Sequence, residues 1–360
     1  MAWIKPEGYT RGDIDRAGDI LTGASTAEQF AKALEVLDNW RATHSYPMHV
    51  FKIRLKRKAL LVDPKSLTVQ RLKRVPAIIK KLGRRYNGRP ATMKLSQMQD
   101  IGGCRAVLSN ASLARQLCEQ YYLKGDLKHK RVGMKDYIAE PKNDGYRSIH
   151  LVYRYTSDKG KKEYGGLLVE IQIRSKLQHL WATAIETVDF FTRQAIKSNE
   201  GRAEWMDFFR LVSSAFARME NCPAVPNTPA IERELYLEIK KKEAELNVMK
   251  VMKGWTQAVK VFEQKVKQTP KLQYFLLELD IAGEKLNITP YTKDNEQKAI
   301  LDYAASEKKN RDKKEYDVVL VGADTSTDLK KAYPNYFVDS EEFLANLKKI
   351  IGKYNGAQQS

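Results

Sequence analysis

Tyr146, Arg147 and His150 follow directly on a turn-forming run, Pro141-Lys142-Asn143-Asp144-Gly145. Asp-Gly is a strong turn signal because glycine accepts a positive φ that other residues resist. The turn hands a phenol, a guanidinium and, early in a strand expected over 148–153, an imidazole to one edge of a sheet. A flat aromatic face beside fixed cations suits a nucleobase carrying phosphates. An ordinary loop whose tyrosine packs on the core uses the same residues, and this stretch alone does not choose between the two.

Two further stretches carry polar groups in a regular pattern. In LLVEIQIR (167–174), Glu170, Gln172 and Arg174 alternate with Val169, Ile171 and Ile173, so the strand has one polar and one apolar face. In DIGGCRAVL (100–108), a glycine-rich turn feeds a second strand, with Asp100 at its mouth and Arg105 among apolar neighbours. If helices cover one face of this sheet, the other face carries Glu170, Gln172, Arg174, Arg105 and His150, the makeup of an open active-site floor. On an exposed sheet the same alternation is unremarkable surface.

Cations gather before and along a third element. RLKRVPAIIKKL (71–82) predicts a helix with Pro76 in its first turn, where a missing N–H costs nothing. Arg71 and Lys73 then precede its N-terminus and Lys81 lies further along. Cations beside free backbone amides make an anion site.

Other helices frame these pieces. Ser25-Thr26-Ala27-Glu28 reads as a capping box opening a helix that buries Phe30, Leu34, Leu37 and Trp40. A helix is expected over 49–62, ending before Pro64. Its run Lys52, Arg54, Lys56, Arg57 and Lys58 is either a solvated face or a contact for a phosphate backbone. Helices follow at 175–196, with His179 in the core, and at 202–219. Three prolines in 222–229 mark a linker or a reversal. Beyond them come helices at 231–253 and 255–268, a hairpin over 274–292 turning at 282–284, a helix at 295–308, a strand at 316–321 and a last helix at 340–354.

The bulk numbers bound the class. The 360 residues suffice for two domains with real cores, and Lys+Arg exceed Asp+Glu by 63 to 44, a net charge of +19. That excess favours an anionic partner over a neutral one. The three cysteines show neither metal-ligand spacing nor a disulfide pattern, which fits the cytoplasm. No apolar run is long enough for a bilayer, so no membrane partner is expected.

Together, RLKRVPAIIKKL, DIGGCRAVL, KDYIAEPKNDGYRSIHLVY (135–153) and VEIQIRSKLQHLWA (169–182) resemble the RelA/SpoT family of pyrophosphokinase synthetase domains, in the family's order. The resemblance implies an α+β fold, a nucleotidyltransferase-like mixed sheet flanked by helices, over 1–222. It implies that Arg71, Lys73 and Lys81 hold the triphosphate of ATP and that Arg105 lines the adenine side. Asp100 and Glu170 would bind Mg²⁺. Tyr146 would stack on the acceptor base, with Lys135, Arg147, His150, Gln172 and Arg174 around the acceptor or its phosphates. Asp100, Glu170 and Tyr146 would form the catalytic group, and Glu170 is the best candidate for general base. Ala77 stands where many members carry serine, so one hydroxyl contact to the nucleotide is missing. Bifunctional relatives carry a hydrolase with a His-Asp metal site, and this chain has five histidines and no His-Asp dipeptide.

Members of the family use either GDP or GTP, or the 3′-terminal CCA of tRNA, as acceptor. The basic charge, the 52–58 run and a second cluster containing Lys130 and Arg131 point to tRNA. The remainder divides into a linker with helices (223–270) and a small C-terminal α+β module (271–360). That module resembles the antitoxin part of CapRel-type fused toxin–antitoxin proteins, a zinc-finger-like fold without metal; no cysteine follows Cys222, and no zinc is expected. Tyr333 and Tyr336 in Tyr333-Pro334-Asn335-Tyr336 match the element that plugs the ATP pocket in that group. The implied trigger is a phage-encoded protein, such as a capsid protein, that binds the tail. The alternative is a small alarmone synthetase making (p)ppGpp or (p)ppApp.

Overall fold

The computed structural model describes residues 3–6, 8–86, 88–157, 159–192, 203–246, 248–249, 252, 272–280, 285–310, 316–322 and 340–354. The helix expected at 255–268, the turn at 282–284 and the 333–337 segment with Tyr333 and Tyr336 lie outside these residues.

An eight-stranded mixed sheet organises the chain, in the order β5-β6-β7-β4-β1-β10-β8-β9. Its strands are β1 (Leu67–Leu72), β4 (Gly102–Leu108), β5 (Lys130–Asp136), β6 (Ile149–Arg154), β7 (Leu168–Ser175), β8 (Leu272–Asp280), β9 (Lys285–Thr292) and β10 (Tyr316–Gly322). β2 (Arg85–Tyr86) and β3 (Arg89–Pro90) form a separate short ribbon. The central pair β4–β7 is parallel, and the other pairings are antiparallel.

The alternation in 167–174 is observed in β7: Val169, Ile171 and Ile173 are fully buried, whereas Glu170 and Gln172 are half-buried. On the apolar face, Cys104, Ala106, Ile171 and Ile173 pack with Phe51 and Leu55 of α3 (Ser45–Val62) and with Ala114 and Leu117 of α5 (Ala111–Cys118). Helices therefore cover that face and leave the polar one for a site. β5 has no signature in the sequence. Its first four residues are a basic, apolar and glycine mixture with no clean period, and it is held by pairing to β6 instead.

Two helical groups complete the fold. α1 (Arg11–Thr22), α2 (Ala27–Thr43) and α4 (Val75–Leu82) share a core containing Ile14, Leu37, Ile78 and Ile101. The capping box of α2 sits one residue later than the sequence suggests: Thr26 accepts from the Gln29 amide at 3.2 Å, and the Gln29 side chain accepts from the Thr26 amide at 3.0 Å. Threonine and glutamine satisfy the same free amides as the expected serine and glutamate. α3 begins earlier than expected, at Ser45, with Pro47 in its first turn.

The second group is α6 (Lys176–Thr192), α7 (Ala203–Met219), α8 (Glu232–Leu246) and α10 (Ser340–Gly352). Trp181, Phe208, Phe209 and Leu235 form its core together with Phe343 and Leu347 of α10. The last helix, which the sequence places in a C-terminal module, thus packs inside the helical layer of the first part. The proline-rich stretch is a reversal that lays α8 against α7. The hairpin β8–β9, helix α9 (Glu296–Asn310) and β10 make the rest of the C-terminal segment, and β10 joins β1 at Gln70↔Gly322. Among the described residues no helix is long and apolar enough to cross a membrane.

Candidate active site

Register alone gathers the polar residues. Val69, Arg105, Gln172, His150 and Lys135 stand opposite one another across β1, β4, β7, β6 and β5, and Arg71, Gly103, Glu170 and Val152 form the next row. Directly paired residues point to the same face of a sheet. A cavity of about 130 Å³ opens there, lined by Arg71, Lys73, Asp100, Arg105, Glu170 and Gln172 among others. Gly103 keeps its floor low between Arg71 and Glu170. A Cβ at that position would meet nothing closer than 3.7 Å and would project into the space itself.

Asp100 arrives from the turn before β4 and meets two lysines. Lys73 Nζ donates to its Oδ2 at 2.9 Å and Lys81 Nζ to its Oδ1 at 2.8 Å. Burial works against the carboxylate, but the two ammonium charges and their hydrogen bonds outweigh it and hold the pKa at about 2. Lys73 is pulled below the ordinary lysine range by its own burial, with Asp100 opposing.

Glu170 is the second carboxylate. His150 Nδ1 lies 2.9 Å from its Oε1, and Gln172 Nε2 donates to its Oε2 at 2.7 Å. Burial pushes its pKa up, the bonds and charge from His150 and Gln172 pull it down further, and the net shift is downward. The charge of Asp100 acts on it in the opposite sense, so the two carboxylates share one electrostatic neighbourhood. Two ionised carboxylates over an open floor are a hard-oxygen donor set, which fits Mg²⁺ beside phosphates and water.

Tyr146 extends this network. Its hydroxyl is 2.8 Å from His150 Nε2. An ionised Glu170 accepts from the hydrogen on Nδ1, which leaves Nε2 as the partner of the phenol hydroxyl. Arg174 Nη2 donates to Gln172 Oε1 at 2.8 Å and to the Tyr146 hydroxyl at 3.4 Å. Arg105 Nε donates to the same Gln172 oxygen at 3.3 Å. The turn that places the phenol is built as the sequence suggests: Asp144 Oδ1 accepts from the Tyr146 amide at 2.8 Å, and Gly145 has φ +93°.

Two neighbours carry no signal as site residues in the sequence. Lys142 Nζ lies 4.7 Å from the Tyr137 ring centroid and 5.0 Å from that of Tyr146. Tyr137 meets Tyr146 edge-on at 5.9 Å. By type and position they are only turn and hinge residues, and only the folded turn brings them over the phenol.

Other expected site residues go elsewhere. Arg147 is buried away from the polar floor; its Nε donates to Ser213 Oγ of α7 at 3.0 Å, and burial lowers its pKa to about 10. Lys135 stays exposed at the rim. The basic run of α3 lies over the apolar face and divides. Arg54 Nη2 donates to the Asp126 carbonyl at 3.1 Å, and Lys58 stands 4.6 Å over Tyr121. Lys52 acts electrostatically on Glu296 of α9. Lys56 is half-buried and Arg57 exposed. Arg131 donates to the Tyr122 carbonyl at 3.3 Å, beside exposed Lys130, so Arg54, Lys58 and Arg131 converge on the 121–126 segment, which begins in a short helical turn (Glu119–Leu123).

Residues 70–189 match the region found in RelA / SpoT proteins, a span that holds Arg71, Lys73, Asp100, Tyr146, Glu170 and Arg174. Two GTP pyrophosphokinases of Bacillus subtilis (strain 168) are similar to this chain. YjbM is 33% identical over 130 residues, 36% of this chain and 58% of YjbM. YwaC is 33% identical over 122 residues, 34% of this chain and 56% of YwaC. The matches thus span little more than half the length of these relatives. The crystal structure of small alarmone synthetase 1 from Bacillus subtilis aligns at 25% identity over 51% of this chain and 92% of that one, with a TM-score of 0.43. The stretch that matches this region, residues 70–189, lies in a mixed α+β fold.

Proposed function

We propose that the chain moves the β,γ-diphosphate of ATP onto the 3′-terminal CCA of tRNA and so stops translation. The C-terminal segment holds the enzyme inactive, and a phage-encoded protein that binds this segment releases it. The observation that carries the enzymatic part is the meeting of Asp100, Glu170 and Lys73 in one cavity, with Lys81 bonded to Asp100 and Glu170 joined to Tyr146 through His150.

In this reading a ribose hydroxyl oxygen attacks the β-phosphorus of ATP. The bond from that phosphorus to the α–β bridging oxygen breaks, and AMP leaves. Glu170 accepts the hydroxyl proton, held in place by His150 and Gln172. Tyr146 presents its ring to the acceptor base, and Arg174 fixes its hydroxyl from behind. Lys73, Lys81 and Arg71 neutralise the triphosphate, which is most of what such transfers require. Asp100 and Glu170 would hold a Mg²⁺ ion, which supplies further charge neutralisation on the phosphates when bound. In the present arrangement both lysines rest on Asp100; with ATP bound they would turn to its phosphates, and the Asp100 carboxylate would be free to help hold the metal.

The tRNA acceptor is supported by the +19 charge and by the cations that gather around the 121–126 segment. Autoinhibition is supported by the docking of β10 and α9 on the edge of β1, beside Arg71 and Lys73. Tyr333 and Tyr336 are the proposed plug of the ATP pocket.

A second reading makes a free guanine nucleotide the acceptor. It is favoured by the names of both Bacillus subtilis relatives. Incubation of Tyr336→Ala, the variant without the proposed plug, with γ-labelled ATP and either tRNA or GDP separates the two, because the γ-label travels with the transferred diphosphate. Label on tRNA is the expected result; label on GDP alone establishes the second reading. No AMP release with either acceptor would overturn both.

A further inference from the structure

Arg41, at the end of α2, is 3% exposed. Its Nε donates to the Lys73 carbonyl at 2.6 Å. Its remaining nitrogens turn to α9: Nη1 is 3.2 Å from Glu307 Oε2, Nη2 donates to the Tyr303 hydroxyl, and the guanidinium lies 4.6 Å over the Tyr303 ring. The other oxygen of Glu307 accepts from the Val75 amide, the first of α4, at 3.4 Å.

Two anion-attracting groups therefore meet in one corner, the Arg41 guanidinium and the leading amide of α4; the Lys73 carbonyl fixes the guanidinium there, and the ammonium of the same Lys73 reaches into the cavity. A carboxylate from the C-terminal segment fills it. Tyr303 links the corner to the seam beside the donor site. A small cleft of about 30 Å³ along the seam is lined by Arg71 and Gln70, which also line the main cavity, and by Tyr303, Tyr274 and Glu296 of the C-terminal segment. A carboxylate held by a guanidinium and a helix-end amide has the charge and the donor geometry of a phosphate oxygen.

We propose that Arg41 and the first amide of α4 form a phosphate-binding corner of the ATP site, and that Glu307 occupies it when the C-terminal segment is docked. Glu307 is then a competitor of a nucleotide phosphate and not only a clasp. This rests on the reading of the C-terminal segment as an inhibitor, and it assigns to α9 a part in inhibition separate from that of Tyr336.

The two ends of the ion pair distinguish masking from clasping. Either substitution breaks the pair and loosens the docked segment, but only removal of Glu307 leaves the corner cationic. Binding of α,β-methylene-ATP with Mg²⁺ to the full chain, followed by calorimetry, needs no acceptor. Glu307→Gln should bind about tenfold tighter than the parent, the size of one charge-assisted hydrogen bond. Arg41→Gln should bind no tighter, Arg41→Gln with Glu307→Gln should lose the gain, and Arg41→Lys with Glu307→Gln should keep most of it. If Glu307→Gln does not fold, Glu307→Asp must show a smaller gain in the same direction. Equal tightening by Arg41→Gln and Glu307→Gln would mean a clasp alone and overturn the proposal. A gain for Tyr336→Ala with none for Glu307→Gln would also overturn it while leaving autoinhibition standing. No gain in either would remove both.

Discussion

His150 Nδ1 sits 2.9 Å from Glu170 Oε1, and the far side of the same imidazole holds the Tyr146 hydroxyl at 2.8 Å. The Tyr146 phenol and the Glu170 carboxylate are thus fixed relative to each other by one side chain. β6 and β7 set this geometry by pairing His150 with Gln172 and Val152 with Glu170, which brings the imidazole diagonally across to the carboxylate. Burial on its own would push Glu170 toward its neutral form, and the imidazole is the largest influence opposing that.

The two functions of Tyr146 should separate by substitution. Tyr146→Phe keeps the ring but removes the bond to His150, so KM for the acceptor should hold within about threefold while kcat falls about tenfold, the worth of one hydrogen bond in a partly buried site. Tyr146→Ala removes the ring as well and should abolish measurable transfer. Steady-state kinetics with saturating ATP check this, and a Phe variant that loses acceptor affinity but keeps kcat would contradict it.

Asp100 makes a prediction about stability in the absence of nucleotide and metal. Its pKa falls from the ordinary aspartate value of 3.8 to about 2 in the fold, burial opposed and outweighed by Lys73 and Lys81. A depressed carboxylate contributes stability that is fully present above the unfolded pKa and is lost as pH falls through the folded one. The contribution is of the order of 2 kcal/mol at neutral pH. Asp100→Asn should therefore unfold at lower urea than the parent at pH 6, and the gap should close between about pH 4 and pH 2. The same variant should have no transfer activity. A gap that persists unchanged at pH 2 would show that the ion pairs do not produce it.

Gly145 should tolerate no side chain. Its φ of +93° lies where L-residues are strained, and a Cβ there would stand 2.9 Å from both Ser213 Cβ and Trp181 Cζ2. The turn cannot shift without moving Tyr146, the next residue. Gly145→Ala should destabilise by about 1–3 kcal/mol and depress transfer well beyond the loss of folded protein. Thermal unfolding and specific activity corrected for the folded fraction test the two parts separately.

The sheet that bears the site was legible because a period of two is hard to mistake: Glu170, Gln172 and Arg174 announce one face, and Val169, Ile171 and Ile173 the other. The same rule, carried back from β6, accounts for the one misplaced acceptor residue. Tyr146 and His150 are four apart and share a side, whereas Arg147 falls on the opposite side and enters the helical layer at Ser213. The resting partners of Asp100 were not legible, since Lys73 and Lys81 flank a helix whose distance from the β4 turn is set only by packing around Ile78 and Ile101. Arg41 offered no signal at all. It reads as a solvated cation at a helix end, and its partners Tyr303 and Glu307 lie in α9, far along the chain.

The basic surface yields a prediction that distinguishes the acceptors. Arg54, Lys58 and Arg131 meet around the 121–126 segment, on the side of α3 that faces away from the polar floor, and exposed Arg57 and Lys130 flank them. Neutralising these cations does not touch the cavity, so transfer to a small nucleotide should be unaffected. A long polyanion reaches both places at once. Arg57→Gln with Lys130→Gln should weaken tRNA-dependent transfer while leaving any GDP-dependent transfer unchanged. It should also reduce the slope of log K against log salt by about 1 for each phosphate that is no longer neutralised. These two residues are chosen because both are exposed, so their removal leaves the fold intact. A double variant with full activity on tRNA and an unchanged salt slope would move the tRNA off this surface, and equal losses on tRNA and GDP would mean that the substitutions act through the fold.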